Sequence, residues 1–233
     1  MEFVTDSLRE LETELRSLDA RKRLEWAFDN FPPEQILVTT SFGIHSALLL
    51  WFVSELSPGH PVHFIDTGFH FEQTLAYKEQ LVAAFGLHVV EVGPSPDLKP
   101  LCEATRMWQS SPNVCCYLNK VAPLEPYKQQ ARVWISGVMG FQNRFRKQLP
   151  VISEDPSCAG LLKLSPFIDW TQEQYEAFRA QHDLPVHPLQ ALGYGSVGCI
   201  HCTSPGSGRS GRWSIHFKTE CGLHTGSFGT PGK

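Results

Sequence analysis

The sequence predicts an α/β fold, an open and mostly parallel sheet with helices on both faces and a separate C-terminal tail. Short, near-continuous β-branched runs (ILVTT, VHFID, HVVEV) alternate with longer segments of helical period. That alternation stops after about residue 182, where the composition changes. With 233 residues, 42% hydrophobic and 19% charged, the chain can bury a core without disulfide support.

Leu8, Leu11, Leu15 and Leu18 recur at helical spacing and predict an amphipathic opening helix. Phe31-Pro32-Pro33 stops the segment that follows. Residues 36–40 form the first strand, SFG a short loop, and 44–56 an apolar helix. Pro58-Gly59 turns the chain into a second strand at 62–66, and a helix from about 70 to 85 is closed by Gly86. Residues 88–92 and 131–136 are the third and fourth strands. Thr171 and Gln174 make a capping box for a helix running to about His182. TSPGSGRSGR, residues 203–212, reads as a mobile Gly/Ser-rich loop.

A net charge of −4 argues against a general electrostatic grip on nucleic acid or an anionic membrane. The longest apolar run, Ala47 to Val53, is too short to span a bilayer. The acidic start of the chain lacks the pattern of a secretory leader, so the cytoplasm is the expected compartment and its cysteines are expected to be reduced. Seven clustered cysteines then point to metal or catalysis before disulfides.

Two candidate sites emerge. In open parallel sheets ligands bind beyond the carboxyl ends of the strands. Ser41-Phe42-Gly43-Ile44-His45-Ser46 lies there after strand one, with backbone N–H groups and hydroxyls suited to a phosphate or sulfate. Asp66-Thr67-Gly68 occupies the matching place after strand two, where the carboxylate could meet a ribose or adenine edge. Without Gly-Lys-Ser/Thr the first loop is not the usual nucleoside-triphosphate loop.

The cysteines form the second. Cys199, Cys202, Cys221 and His224 make a CxxC…CxxH spacing suited to structural zinc. Alternatively, Cys115, Cys116, Cys199 and Cys202 are four thiolates for an iron–sulfur cluster. That choice leaves Cys221 as a nucleophile, where Lys218 and His224 would favour its thiolate. Cys102 and Cys158 have no partner motif.

Cys115-Cys116 with Lys120, GCIHCT at 198–203, Gly211-Arg212-Trp213 and Lys218-Thr219-Glu220-Cys221-Gly222-Leu223-His224 together resemble the thioredoxin-dependent sulfonucleotide reductases. Among these the chain is most similar to the assimilatory adenylyl-sulfate reductases that carry a [4Fe–4S] cluster. The likeness extends through SFG…S at 41–46, IDTG at 65–68, Asp169-Trp170-Thr171 and residues 193–199.

The resemblance implies an adenine-nucleotide α-hydrolase type of fold. It implies a nucleotide- and cluster-binding domain over 1–202 and a mobile segment over 203–233 that carries the catalytic cysteine. It also implies that Cys115, Cys116, Cys199 and Cys202 hold the cluster, which would act structurally and electrostatically. Cys221 would attack the sulfur of adenosine 5′-phosphosulfate, expelling AMP. Thioredoxin, or a glutaredoxin-like reductant, would then release sulfite. Ser41, Phe42, Gly43, Ser46, Asp66, Thr67, Gly68, Lys120, Arg144, Arg146, Arg212, Lys218 and His224 would bind the substrate, with Arg209 adding charge on the tail.

One stretch departs from the family pattern. In GVMGFQNRFR, residues 137–146, Gln142 and Arg146 match, while Met139, Gly140 and Asn143 replace the expected residues and Arg144 would supply a missing charge. The choice between adenylyl sulfate and its 3′-phosphorylated form is thereby open. Reductases restricted to the latter typically lack the cysteine pairs. An ATP-pyrophosphate-cleaving enzyme on the same scaffold fits less well, because Phe42 and His45 stand where its loop has glycine and aspartate. A zinc-stabilised nucleic-acid-binding module fits least. Homo-oligomerisation is open.

Overall fold

The computed structural model describes residues 5–213, 218 and 220–225. Two helices open the chain, α1 (Thr5–Ser17) and α2 (Ala20–Asn30), the second capped by the Asp19 carboxylate accepting from the Lys22 N–H at 2.9 Å. The core βα alternation follows as β1 (Ile36–Thr40), α3 (Ser46–Leu56), β2 (Pro61–Ile65), α4 (Glu72–Phe85) and β3 (His88–Val92). Gly86 closes α4 at φ 61°, a left-handed cap that a side chain would resist. All three strands lie where the apolar runs predict them.

Between β3 and β4 (Val133–Ser136) comes a helical excursion that the periodicity did not reveal: α5 (Leu98–Thr105), α6 (Met107–Ser110), α7 (Pro112–Cys116), a π turn at Tyr117–Val121 and α8 (Ala122–Gln130). Pro123 and Pro126 lack the N–H groups that would bond the carbonyls of Asn119 and Ala122, and the widened turn sits at that interruption. Two further short strands, β5 (Ile152–Glu154) and β6 (Leu162–Leu164), precede α9 (Gln172–Gln181), whose Thr171–Gln174 capping box forms as predicted. A last turn, α10 (Gly222–Thr225), ends the described chain.

The six strands run in the order β3-β2-β1-β4-β6-β5; only the β5–β6 pair is antiparallel. After β3 the chain crosses back to place β4 on the other side of β1. The crossover opens the crevice between β1 and β4, the switch point at which such sheets bind ligands. Helix α3 buries Ala47, Leu48, Leu49, Leu50, Phe52 and Val53 beside this crevice, so the backbone leaving β1 has little freedom to shift. Buried Arg23 ties the opening helices to the rest. It donates to the carbonyls of Leu15 and Pro166 at 2.8 Å and to both Asp169 oxygens at 2.6 and 2.7 Å.

The Gly/Ser-rich residues 203–212 have defined backbone bonds. Gly206 accepts from the Gly195 N–H and donates to Gly193, both at 2.9 Å, and Thr203 bridges Arg212. No helix of the described residues is long and apolar enough to cross a membrane.

His187, fully buried, makes folding stability pH-dependent. The Leu189 N–H donates to Nδ1 at 3.2 Å, so Nε2 carries the proton and donates to Thr74 Oγ1 at 3.1 Å. Burial holds its pKa near about 4, below the ordinary 6.5. Because the folded pKa is depressed, the unfolded chain binds the extra proton first, and stability falls as pH drops from about 6.5 towards 4. Discounted for partial screening, the loss is on the order of 2 kcal/mol. Urea denaturation at pH 7.5 and 5 should show it, and His187→Gln should flatten that part of the pH dependence.

Candidate active site

The cleft at the ends of β1 and β4 has a cavity volume of about 170 Å³ and is lined by Thr39 and Thr40, by the loop residues Ser41, Gly43, His45 and Ser46, and by Ser136 and Gly137. The loop is held from within: the Phe42 N–H donates to Thr40 Oγ1 at 3.1 Å, and the Ser46 N–H donates to the Gly43 carbonyl at 3.0 Å as α3 begins. Phe42 adopts φ 45° with its ring wholly buried against Phe64, 5.2 Å between centroids. Its side chain therefore anchors the loop in the core, which leaves only its backbone to face a ligand.

The far wall is cationic and sets Lys120 and Arg146 beside residues of the C-terminal segment. Lys120, Arg146, Arg209, Arg212, Trp213, Cys221, Leu223 and His224 all face the same space. Arg212 is packed in place, donating to the Val197 carbonyl at 2.9 Å, and only a glycine at 198 leaves room for its guanidinium. Glu220, 1% exposed in its side chain, accepts from Arg146 at 2.6 Å and from Arg209 at 3.3 Å. Burial pushes its pKa up, but the Arg146 hydrogen bond and the charges of Arg146 and Arg209 hold it below the ordinary carboxylate value.

Burial also pushes Lys163 on β6 down to about 8, with Asp155 and Cys221 opposing. Its ammonium donates to the Leu223 carbonyl at 2.8 Å and lies 4.0 Å over the Trp134 ring. Two of the three cleft histidines, His45 and His224, are neutral at pH 7. Burial, then Arg146 and Arg209, holds His45 at about 4; burial, then Lys163 and other cations, holds His224 well below 6.5.

Behind this wall lies a second, much smaller cavity of about 20 Å³, lined by Cys115, Cys116, Cys199 and Cys202 together with Phe69, Trp108, Asn119 and His201. Lys120, Arg212 and Trp213 line both cavities and form the partition. Asn119 orients the first cysteine pair, donating to the Cys115 carbonyl at 2.8 Å. Trp108 and His201 stack at 3.7 Å and 7° beside it.

The donor set suits a polynuclear iron–sulfur centre. Burial and neighbouring thiolates push Cys115 up to about 12 and Cys202 up to about 11, so the group needs a cationic core to hold it deprotonated. At Cys199 burial also pushes upward, but Lys120, Thr67 and Arg212 outweigh it and lower the pKa.

The zinc tetrad does not assemble. Among the described residues, only Glu220, Cys221 and His224 bring three ligand atoms within 4.8 Å of one another, without Cys199 or Cys202. Lys163, Arg146, Arg209 and Lys120 surround that trio and make its field hostile to a dication.

Of the predicted substrate residues, Ser41, Gly43, Ser46, Lys120, Arg146, Arg212 and His224 line one cleft with Cys221. Asp66, Thr67 and Gly68 do not, although Ile65 before them and His70 after them do. Asp66 instead accepts from the Gly68 N–H at 2.8 Å, and Thr67 Oγ1 lies 3.3 Å from Cys199 Sγ. Arg144 is exposed and outside the cleft lining. Lys218 donates to the Pro112 carbonyl at 3.3 Å, also outside it. The sequence reading assigned no role to Glu220 or Lys163; Glu220 was signalled only by its place beside Cys221, whereas Gln142 stands out as a family match.

Gly43→Val should weaken AMP binding by roughly tenfold or more: a Cβ there would already be in van der Waals contact with Ser41 Oγ at 3.5 Å and the Val197 carbonyl at 3.7 Å, so the two methyl groups beyond it have to enter the cleft. Calorimetry checks this; unchanged affinity would place the nucleotide elsewhere.

Residues 35–205 match the phosphoadenosine phosphosulfate reductase domain. The adenosine 5′-phosphosulfate reductase of Bacillus mycoides is 35% identical over 208 residues, 86% of this chain and 88% of the relative. That of Bacillus cytotoxicus is 37% identical over the same shares. A crystal structure of the phosphoadenylyl-sulfate reductase from Candida auris, a phosphate complex, superposes with a TM-score of 0.74 at 27% identity, covering 88% of this chain and 99% of that one. The FMN adenylyltransferase of Candida glabrata, at 18% identity and a TM-score of 0.59 over 88% and 69% of the two chains, shares the fold alone. With its strand-end cleft and this extent of likeness, the chain belongs to the phosphoadenosine phosphosulfate reductase domain family and is an oxidoreductase.

Proposed function

We propose that the chain reduces adenosine 5′-phosphosulfate to sulfite and AMP in sulfate assimilation, with a dithiol such as thioredoxin as electron donor. One observation carries this reading: Cys221 shares a single cleft with the Ser41–Ser46 loop and the cations Lys120, Arg146, Arg209 and Arg212. The names of the Bacillus relatives support the substrate.

The N–H groups and hydroxyls of the loop take the 5′-phosphate, and the cations take the sulfate. The Cys221 thiolate attacks the sulfate sulfur; the S–O bond to phosphate breaks and its electron pair leaves with AMP, whose added negative charge Lys120 and the arginines stabilise. The product is S-sulfocysteine. A reductant thiolate then attacks the Cys221 sulfur, sulfite departs with the S–S electron pair, and a mixed disulfide remains. The second thiol of the reductant resolves it, restoring Cys221 and leaving the reductant oxidised by two electrons. That exchange requires access to Cys221, for which the segment that bears it would move against the fixed part, residues 1–202. Cys115, Cys116, Cys199 and Cys202 would hold a [4Fe–4S] cluster, which when bound supplies a fixed structural and electrostatic element behind Lys120. The cytoplasm, with its reducing thiols, is the compartment in which these steps run.

Anaerobically purified protein should release sulfite from adenosine 5′-phosphosulfate only when thioredoxin is added. No sulfite from either this substrate or its 3′-phosphorylated form would overturn the reading. Faster turnover of the latter would correct the substrate and leave the chemistry intact.

A further inference from the structure

We propose that Glu220 is a positioning residue, whose carboxylate docks the segment bearing Cys221 onto Arg146, Asn143 and Arg209 and so sets the nucleophile in the cleft. This rests on the reading of Cys221 given above.

Oε1 accepts from Arg146 Nε at 2.6 Å and from Asn143 Nδ2 at 2.9 Å; Oε2 accepts from Arg146 Nη2 at 2.9 Å and from Arg209 Nη2 at 3.3 Å. The Arg146 fork is bidentate, which fixes direction as well as distance. Both oxygens are occupied, so the group is not a free proton acceptor. It is one peptide from Cys221, so anchoring its side chain limits where the next residue can lie.

The dock is itself held. The Asn143 side-chain oxygen accepts from the Arg146 N–H at 2.7 Å, and Arg146 also donates to Gln142. Gln142 Nε2 lies 3.2 Å from His45 Nδ1, which continues the network into the anion loop. On the other side of Cys221, Lys163 grips the Leu223 carbonyl at 2.8 Å. Anchors at 220 and 223 therefore bracket the nucleophile.

Removing the carboxylate frees Cys221 but leaves the cleft more positive, so an anionic substrate is still bound. Glu220→Gln and Glu220→Ala should lower kcat on the order of 10²-fold with KM unchanged or reduced. Glu220→Asp should recover part of the loss. In the same holoenzyme, the rate at which iodoacetamide labels Cys221, followed on its peptide by mass spectrometry, should rise several-fold. If the alanine variant does not fold, the near-isosteric glutamine variant carries the test. An unchanged labelling rate, a kcat within about twofold of the parent, or a raised KM at constant kcat would each overturn the proposal. Labelling needs no turnover, so it separates failure of the dock from failure of the nucleophile, which full activity in Cys221→Ser would reveal.

Discussion

In Cys221→Ser, turnover falls by about 10⁴-fold or more while iron content and visible absorbance stay at the parental level. A serine hydroxyl is scarcely ionised at neutral pH and is a far weaker nucleophile than a thiolate. Cys221 lines the nucleotide cleft and is not among the residues lining the four-cysteine cavity, so the substitution leaves that donor set whole. Incubating the parent with adenosine 5′-phosphosulfate, without thioredoxin, should leave one sulfite-derived group on the Cys221 peptide. An adduct at Cys102 or Cys158 would overturn the assignment of the nucleophile. Loss of metal in the serine variant would return the CxxC…CxxH grouping.

Serine at Cys115, Cys116, Cys199 or Cys202 removes most of the iron and lowers turnover roughly tenfold or more. Each side chain faces the same small cavity, which the neighbouring thiol of Cys102 does not line. Cys199 should be the most sensitive, because Lys120 and Thr67 are already arranged around its sulfur. Iron analysis of the anaerobic variants, beside their near-ultraviolet circular dichroism, checks this. Full iron retention in two or more single variants would remove the cysteines from the role.

These expectations depend on the partition between the cavities. Lys120 projects from the π turn and meets Cys199, Cys116 and Cys221 electrostatically, so one ammonium serves both sides of the wall. Arg23 illustrates a different use of buried charge. It fastens Asp169, one of the motif residues that the family resemblance highlighted, to the opening helices, away from any ligand.

Periodicity and composition by themselves determined β1 to β4, the helices that follow the first two strands, the Gly86 cap and the Thr171–Gln174 box, because each depends on residues near one another in the chain. The cysteine pairs were legible for the same reason: CC and CxxC are local spacings, whose likeness to a known family joined them into one set.

Only the tertiary structure decided where the crevice opens. That follows from the β1–β4 crossover, which adds the end of strand four to the ends of strands one and two. The strands β5 and β6 escaped notice because three residues are too few to establish a period. The links that shape the cleft join distant residues: Glu220 to Arg146 across 74 positions, and Cys199 to Thr67 across 132. A carboxylate beside a cysteine reads as a surface charge until folding withdraws it from water and requires a counterion. Desolvation is a property of the packed chain, so the ionic partners of Glu220 could not be seen before the packing was known.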